Sequence, residues 1–468
     1  MGIDTLEYMT GQLMGNIAQW QGKRLGWHRL QFKKNERNSV SNHSLMETYG
    51  KILLIAMPIF LFLVLLEKWY GWKKGQDTVR IMDMVSSLTS GVTNVTKDVL
   101  GLSVAIISYG WMKEKFSIAQ IDEGIATYVI AFIALDFSGY WIHRIQHKTN
   151  LFWNAHIIHH SSEEFNLACA LRQSISVFFK LFTFFLLPAA ILGVPGNVIA
   201  VVAPLHLFIQ FWYHTQHIDR MGWLEHVIVT PSDHRVHHAI NPEYIDKNYS
   251  QVFILWDKLF GSFQEERKEV PPVYGITRPA ATWNPIRINF QHLLLLIRDA
   301  WRTRNFSDKL KIWFMPTGWR PADVSEKYPV YKIDDVYALE KYDPNASKGL
   351  QAWSMMQLIF LLFFISFLFG NIASIGSPGI FLYGAFIFLY VYAMTELMDK
   401  SRYAPYWEAL KMLTGFYLIF TTRGWFGAEK WLASAPYFVG AYLLLAMYLS
   451  TSFSIKRSVS VPSERMRS

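Results

Sequence analysis

The strongest constraint on what this chain can fold into is a series of long, nearly uncharged apolar runs. Residues 52–66 read ILLIAMPIFLFLVLL between Lys51 and the trio Glu67, Lys68 and Trp69. With its flanks this run reaches the roughly 20 residues that a helix needs to cross a bilayer, and its Trp/Tyr edge suits a membrane interface. Similar runs cover 124–140, 176–192, 197–213, 352–370, 379–397, 406–420 and 431–450. The segment 84–112 is a weaker candidate, because Lys97 and Asp98 interrupt it. The turn GVPG separates 176–192 from 197–213 and predicts a hairpin, either spanning or re-entrant. Pro285–Arg302 is amphipathic and suits the membrane interface. These patterns predict an all-α integral membrane protein, a multi-span helical bundle.

Composition agrees. Charged residues make up 17% of the 468 residues, below the roughly 25% usual in soluble domains. The net charge of +9 is scattered among the apolar blocks, which fits loops facing anionic lipid and not a nucleic-acid surface. The expected partners therefore include no nucleic acid. Cys169 is the single cysteine, so a disulfide within the chain and a thiolate metal site are both excluded; it reads as a small buried apolar residue. Residues 1–50 carry no compact apolar run with a small-residue cleavage site, so membrane insertion is expected from internal segments.

The expected organisation is an N-terminal segment (1–50), N-terminal membrane helices (51–123), a catalytic region of helices plus a histidine cap (124–280), an interfacial or cytoplasmic segment (281–350), a C-terminal helix bundle (351–455) and a basic tail (456–468). If every candidate spans once and the loop with Lys73, Lys74 and Arg80 is cytoplasmic, all histidine clusters fall on the cytoplasmic side. Lys23, Arg24, Arg29, Lys33 and Lys34 dissent, because that count places them outside.

Twelve of the fifteen histidines lie between His143 and His238. His143 and His147 are four apart and share a helical face. His156, His159 and His160 repeat spacings of three and four, as do His234, His237 and His238, while His214 and His217 lie between. Imidazole is the commonest protein metal ligand, and three per cluster suggests two metals shared among clusters. Iron, zinc, copper and nickel all suit imidazole. The HExxH pattern of zinc proteases is absent, since Arg144, Ile157 and Arg235 follow the leading histidines. Asp136 lies within an apolar run, where an ionisable group needs a partner; it could bond the far nitrogen of a metal-bound imidazole. Asn248 could orient a ligand or line the pocket. His28, His43, His226 and His292 read as isolated or structural, and His206 as a helix-packing histidine.

The combination HxxxH, HxxHH and HxxHH, with HHSSEEFNLACALRQS (159–174), TPSDHRVHHAINPEYIDKNYSQVFILWDKLFGSF (230–263) and VYGITRP (273–279), resembles the fatty acid hydroxylase and sterol desaturase superfamily, most of all its ether-lipid-cleaving branch. The likeness covers about residues 124–280. It implies a histidine-rich di-iron cap, O2 as co-substrate, a membrane lipid substrate and hydroxylation of an unactivated C–H bond. In that branch the carbon beside the ether oxygen of a glyceryl ether is hydroxylated, and the product collapses to a fatty aldehyde and glycerol. Electrons come from tetrahydrobiopterin there and from an external redox protein in relatives. The ligands implied are His143, His147, His156, His159, His160, His214, His234, His237 and His238, with His217 as a further possibility. The resemblance implies the bacterial inner membrane or the endoplasmic reticulum. Lys148 departs from the branch, which carries an acidic residue there, and leaves the exact lipid open. Competing readings are another lipid or sterol hydroxylase or desaturase with a separate redox partner, a zinc hydrolase, a haem carrier, and a metal transporter or sensor.

Overall fold

A computed structural model describes residues 30–105, 107–177 and 179–455. The basic residues Lys23, Arg24 and Arg29, His28, the tail 456–468, and the side chains of Lys33, Lys34 and His43 lie outside what is described. The main helices are α1 (Leu30–Lys74), α2 (Ile81–Val99), α3 (Ile125–Lys148), α4 (Gly196–Ile209), α5 (Pro231–His238), α6 (Pro285–Arg302), α7 (Lys348–Gly370), α8 (Gly379–Met398), α9 (Ala404–Thr422) and α10 (Ala435–Ile455). Among the described residues the regular structure is helical apart from two short parallel strands, Val104–Ala105 and Phe179–Lys180.

Among the described residues, five helical stretches are long and apolar enough to cross a membrane: Gly50–Lys74, Ile125–Lys148, Lys348–Gly370, Gly379–Met398 and Ala435–Ser454. The other expected spans take different forms. The weak candidate 84–112 is not one helix: α2 ends at Val99, and a separate helix, Tyr109–Phe116, follows. The Ser and Thr residues of α2 are buried, and several turn their hydroxyls back onto carbonyls of their own helix. Thr89, Thr93 and Thr96 donate to Ser86, Ser90 and Val92 at 2.9, 2.8 and 2.7 Å. Such local bonds let polar side chains sit against neighbouring helices without unsatisfied groups. α2 runs antiparallel to α8. Near its start Ser86 donates to the Trp283 carbonyl, whose own amide is held by Asp399 just past the end of α8; after its end Leu100 packs on Gly384 near the beginning of α8.

The hairpin expected from 176–213 also differs. Its first arm is a 3-10 turn (Leu181–Leu186) and a single helical turn (Leu187–Ile191), and its second is α4. Fourteen residues rise only about 21 Å, short of a full span. A hairpin returns the chain to the side it left whether or not it spans, but the broken segment 84–112 removes one crossing, so the count by parity loses its premise and the convergence of the clusters rests on the coordinates. Expected span 406–420 forms α9, which buries Glu408 and Lys411.

One apolar core unites the N-terminal helices with the C-terminal bundle: Val64 of α1 and Val85 of α2 belong to the same cluster as Leu361, Ile365, Met394 and Leu443. A smaller core joins α3 to α4 through Ala131, Ala134, Val198 and Val202. The smaller core packs α3 against α4, and His143, His147 and His214 stand at or just beyond the C-terminal ends of these two helices.

Candidate metal centre

Four chain segments deliver the histidines. The last turns of α3 present His143 and His147. His156 precedes the single turn Ile157–His160 that carries His159 and His160. His214 follows the end of α4. α5 presents His234, His237 and His238, and its start is written in the sequence: Thr230 and Asp233 form a capping box, and Pro231 occupies the first turn. All eight residues of α5 are buried.

The nine imidazoles form two groups: His143, His147, His156, His160 and His237 in one, and His159, His214, His234 and His238 in the other. Within each group one ring nitrogen per residue lies within 4.8 Å of all the rest. Consecutive residues divide between groups, His159 from His160 and His237 from His238, and the rings of His160 and His238 stack at 4.3 Å where the groups meet.

Backbone carbonyls set the tautomers. His143 Nδ1 donates to Tyr249 O at 2.7 Å, His237 Nδ1 to Lys247 O at 3.0 Å, His214 Nδ1 to Gln210 O at 2.9 Å and His159 Nδ1 to Arg172 O at 3.3 Å. A carbonyl only accepts, so the proton sits on Nδ1 and the Nε2 lone pair faces inward. His214 Nε2 and His159 Nε2 then meet at 3.3 Å with no proton between them. Other Nε2 pairs are as close: His143 and His156 at 2.8 Å, His214 and His234 at 2.9 Å, His237 and His160 at 3.1 Å, His234 and His238 at 3.1 Å. Facing lone pairs repel unless a cation lies between them. For metal–nitrogen bonds of about 2.0–2.1 Å, neighbouring ligand nitrogens are about 2.8–3.0 Å apart in octahedral and about 3.3–3.4 Å in tetrahedral geometry. The donor set thus fits metal ions. Burial, followed by mutual repulsion, keeps the imidazoles neutral: His159 is pushed down to about 3, and His160, His234 and His238 fall well below the ordinary value.

The supporting residues differ in part from those the sequence suggests. Asp136 touches none of the nine; its buried carboxylate accepts from His206 at 2.8 Å, from the amides of Val252 and Phe253 at 2.9 and 3.0 Å, and from Trp256 at 2.8 Å. It clamps the segment after the KNY stretch to α3. Asn248, at φ +54°, donates to the Asp233 carbonyl of α5 and exchanges bonds with the backbone of Gln264, while its neighbours Lys247 and Tyr249 provide the carbonyls that hold His237 and His143. Its effect on the ligands passes through the loop. His217 lies outside both groups, bonded to Thr78 at 3.1 Å and edge-on to Tyr70. Lys148 pairs with Asp246 at 2.6 Å, and Asp246 also lies 3.8 Å from His147 Nδ1.

Sequence reasoning missed three supports. Tyr249 sets its ring against His143, His147 and His237. Asp257 accepts from the amides of Tyr249 and Ser250 and from the Ser262 hydroxyl at 2.7–2.8 Å. Arg172, whose carbonyl holds His159, is itself locked to Asp83 at 2.7 Å. An arginine and an aspartate in otherwise apolar stretches were the available signals.

Fold and site together define a helical protein with membrane-spanning potential and a buried, all-imidazole centre able to hold metal. Residues 128–262 match the model of the fatty acid hydroxylase family. The chain is 35% identical over 364 residues to an alkylglycerol monooxygenase of Homo sapiens, covering 76% of this chain and 80% of that protein. It is 33% identical over 365 residues to the alkylglycerol monooxygenase of Xenopus tropicalis, covering 78% and 81%. An ornithine lipid hydroxylase of Rhizobium tropici is 28% identical over 154 residues, covering 33% and 46%. No solved structure matches significantly. The chain belongs to the fatty acid hydroxylase family, on the side of the alkylglycerol monooxygenases.

Proposed function

We propose that this protein is an iron-dependent membrane oxygenase that hydroxylates a C–H bond of a lipid, and that its substrate is a glyceryl ether whose O-alkyl bond is cleaved in consequence. The observation that carries the reading is the convergence of nine neutral imidazoles in two adjoining groups, four of them with Nδ1 held by a backbone carbonyl and an Nε2 lone pair facing the group. Two irons per chain held there would supply the activation of O2 and the oxidation of the C–H bond. The protein's own part is orientation and exclusion. Backbone carbonyls fix the rings, and the buried α5 and Tyr249 keep bulk water from most of the cluster.

Hydroxylation beside the ether oxygen gives a hemiacetal. Its hydroxyl proton moves to the leaving oxygen as the carbon–oxygen bond breaks, so aldehyde and glycerol result without further oxidant. The overall oxidation consumes one O2, two protons and two electrons, the electrons drawn from tetrahydrobiopterin or from a separate redox protein; one oxygen atom enters the hydroxyl and the other leaves as water. The basic segments around the cap suit a cytoplasmic orientation, in a bacterial inner membrane or the endoplasmic reticulum.

The test is metal analysis of the purified protein together with oxygen uptake on glyceryl ethers, with and without tetrahydrobiopterin. About two irons per chain and ether-dependent oxygen consumption are expected. Zinc at the site with turnover in the absence of oxygen would replace this reading with a hydrolase, and metal flux without turnover would replace it with a transporter.

A further inference from the structure

A cavity of about 200 Å³ reaches His147, His160, His237 and His238 on one side. Its opposite side is formed by residues the metal centre does not use, among them Arg278, Gln291, Thr317 and Lys332. Arg278 comes from VYGITRP, a motif to which neither metal binding nor the core assigns a task. The motif is shaped around this space. Tyr274 stacks on Phe165 at 5.2 Å, and Phe165 in turn on His214 at 5.7 Å. Gly275 adopts φ +126°, a conformation that favours glycine, and the next three residues line the cavity.

The charge balance of this wall is one-sided. Arg320 is neutralised by the buried Asp299, at 2.5 and 3.0 Å. Arg278 has no ion pair or hydrogen bond among the described residues, although it is partly buried. Burial, with the nearby Arg320, pulls its pKa below the ordinary value, so its charge is held there at a cost. The Thr317 hydroxyl is also buried without a partner. The one carboxylate lining the cavity, Asp246, is engaged by Lys148 at 2.6 Å. Donors thus outnumber available acceptors. A guanidinium with no direct carboxylate partner, in a half-open site whose nearby acid Asp299 is already paired with Arg320, is matched by an anion that accepts several hydrogen bonds.

We infer that Arg278 anchors an anionic group, a phosphate or carboxylate, of a molecule that enters this cavity beside the histidines. The inference rests on the proposed oxygenase reading and deepens it: the anion is either the head group of the lipid being oxidised or a free, water-soluble anion that shares the cavity. Helix α6 roofs the space through Gln291, His292 and Leu295 and exposes Leu294, Ile297 and Trp301 together with Arg298 and Arg302, an amphipathic outer side that suits a membrane interface and favours the head group.

The experiment uses the full-length, iron-loaded protein in detergent with Arg278→Gln and Arg278→Lys variants, each checked for iron content and melting temperature. Turnover is compared on a hexadecyl glyceryl ether and on the same ether carrying a phosphate, and equilibrium binding of the phosphate-bearing ether and of inorganic phosphate is measured separately. A charge-assisted contact predicts that Arg278→Gln lowers the kcat/KM ratio of phosphate-bearing to neutral ether by about tenfold or more, through KM, and that Arg278→Lys recovers part of it. Loss of inorganic phosphate binding with an unchanged ratio assigns the site to a free anion. Equal loss on both ethers, with phosphate binding intact, overturns the inference. Arg278-dependent binding without turnover of any ether sustains the anchor and removes the oxygenase reading instead.

Discussion

The histidine cap and the C-terminal bundle both bury polar groups, in opposite ways. In the cap, neutral rings bring one nitrogen each to two shared points, and no carboxylate belongs to either group of nitrogens. In the bundle, Lys411 meets Glu408 at 2.6 Å with both side chains essentially inaccessible. The ammonium also donates to the Tyr442 hydroxyl at 3.3 Å and lies 4.3 Å over the Tyr390 ring. This second cluster neutralises itself. Charge that is balanced from within fixes helices against one another, whereas donors that converge without a counterpart define a binding centre. The contrast separates a site from a structural ion pair more reliably than burial or residue type, since both clusters are buried and both contain ionisable side chains.

That contrast can be broken experimentally, and the largest effect belongs to the cap. His147→Ala or His234→Ala, each removing a ligand from a different group, is expected to strip iron and to cost on the order of 10³-fold or more in turnover, read by metal analysis and oxygen uptake. Full metal content in both variants would remove the ligand assignment. In the bundle, Glu408→Ala or Lys411→Ala alone is expected to destabilise by about 3–5 kcal/mol, because a buried charge is left unpaired. The double change Glu408→Gln with Lys411→Met should recover most of that loss, with iron content unaltered throughout. Melting in detergent measures it, and a change in iron would show that the bundle shares the chemistry. Asp257→Asn weakens the loop whose Tyr249 carbonyl orients His143, and a loss of about 10- to 100-fold in metal affinity is expected, measured by competition with a chelator. The smallest effect is at His217: His217→Gln should leave iron and turnover within about twofold, because the ring bonds Thr78 outside both groups.

The sequence made the site more legible than its surroundings. Spacings of three and four can be read directly, and the start of α5 is announced by Thr230, Pro231 and Asp233. Pro285–Arg302 forms a helix with the expected bounds, because Asn284 caps it and its apolar stripe has a helical period. The carbonyls that fix the rings could not be read, since any residue carries one; only the loop geometry selects Lys247, Tyr249, Gln210 and Arg172. Asp136 was correctly expected to need a partner, but the choice of His206 over a ligand depends on how α3 and α4 pack. Segment 84–112 misled because hydropathy assumes lipid as the neighbour, while α2 has protein on its sides and can carry Asp83, Ser86 and Ser87 fully buried.

The division of neighbouring residues between the two donor groups has a consequence for how the centre fills. His159 and His160, and again His237 and His238, are joined by a single peptide bond yet serve opposite groups. Whatever ion settles in one group immobilises the backbone that aims two rings of the other, so part of the ordering entropy of the second event is removed by the first. If the proposed two irons occupy one group each, their uptake is expected to be cooperative, which titration of iron into the metal-free protein checks. Such uptake would leave a cell short of iron with a mixture of complete and empty protein, and activity would track the number of finished centres and not their average occupancy.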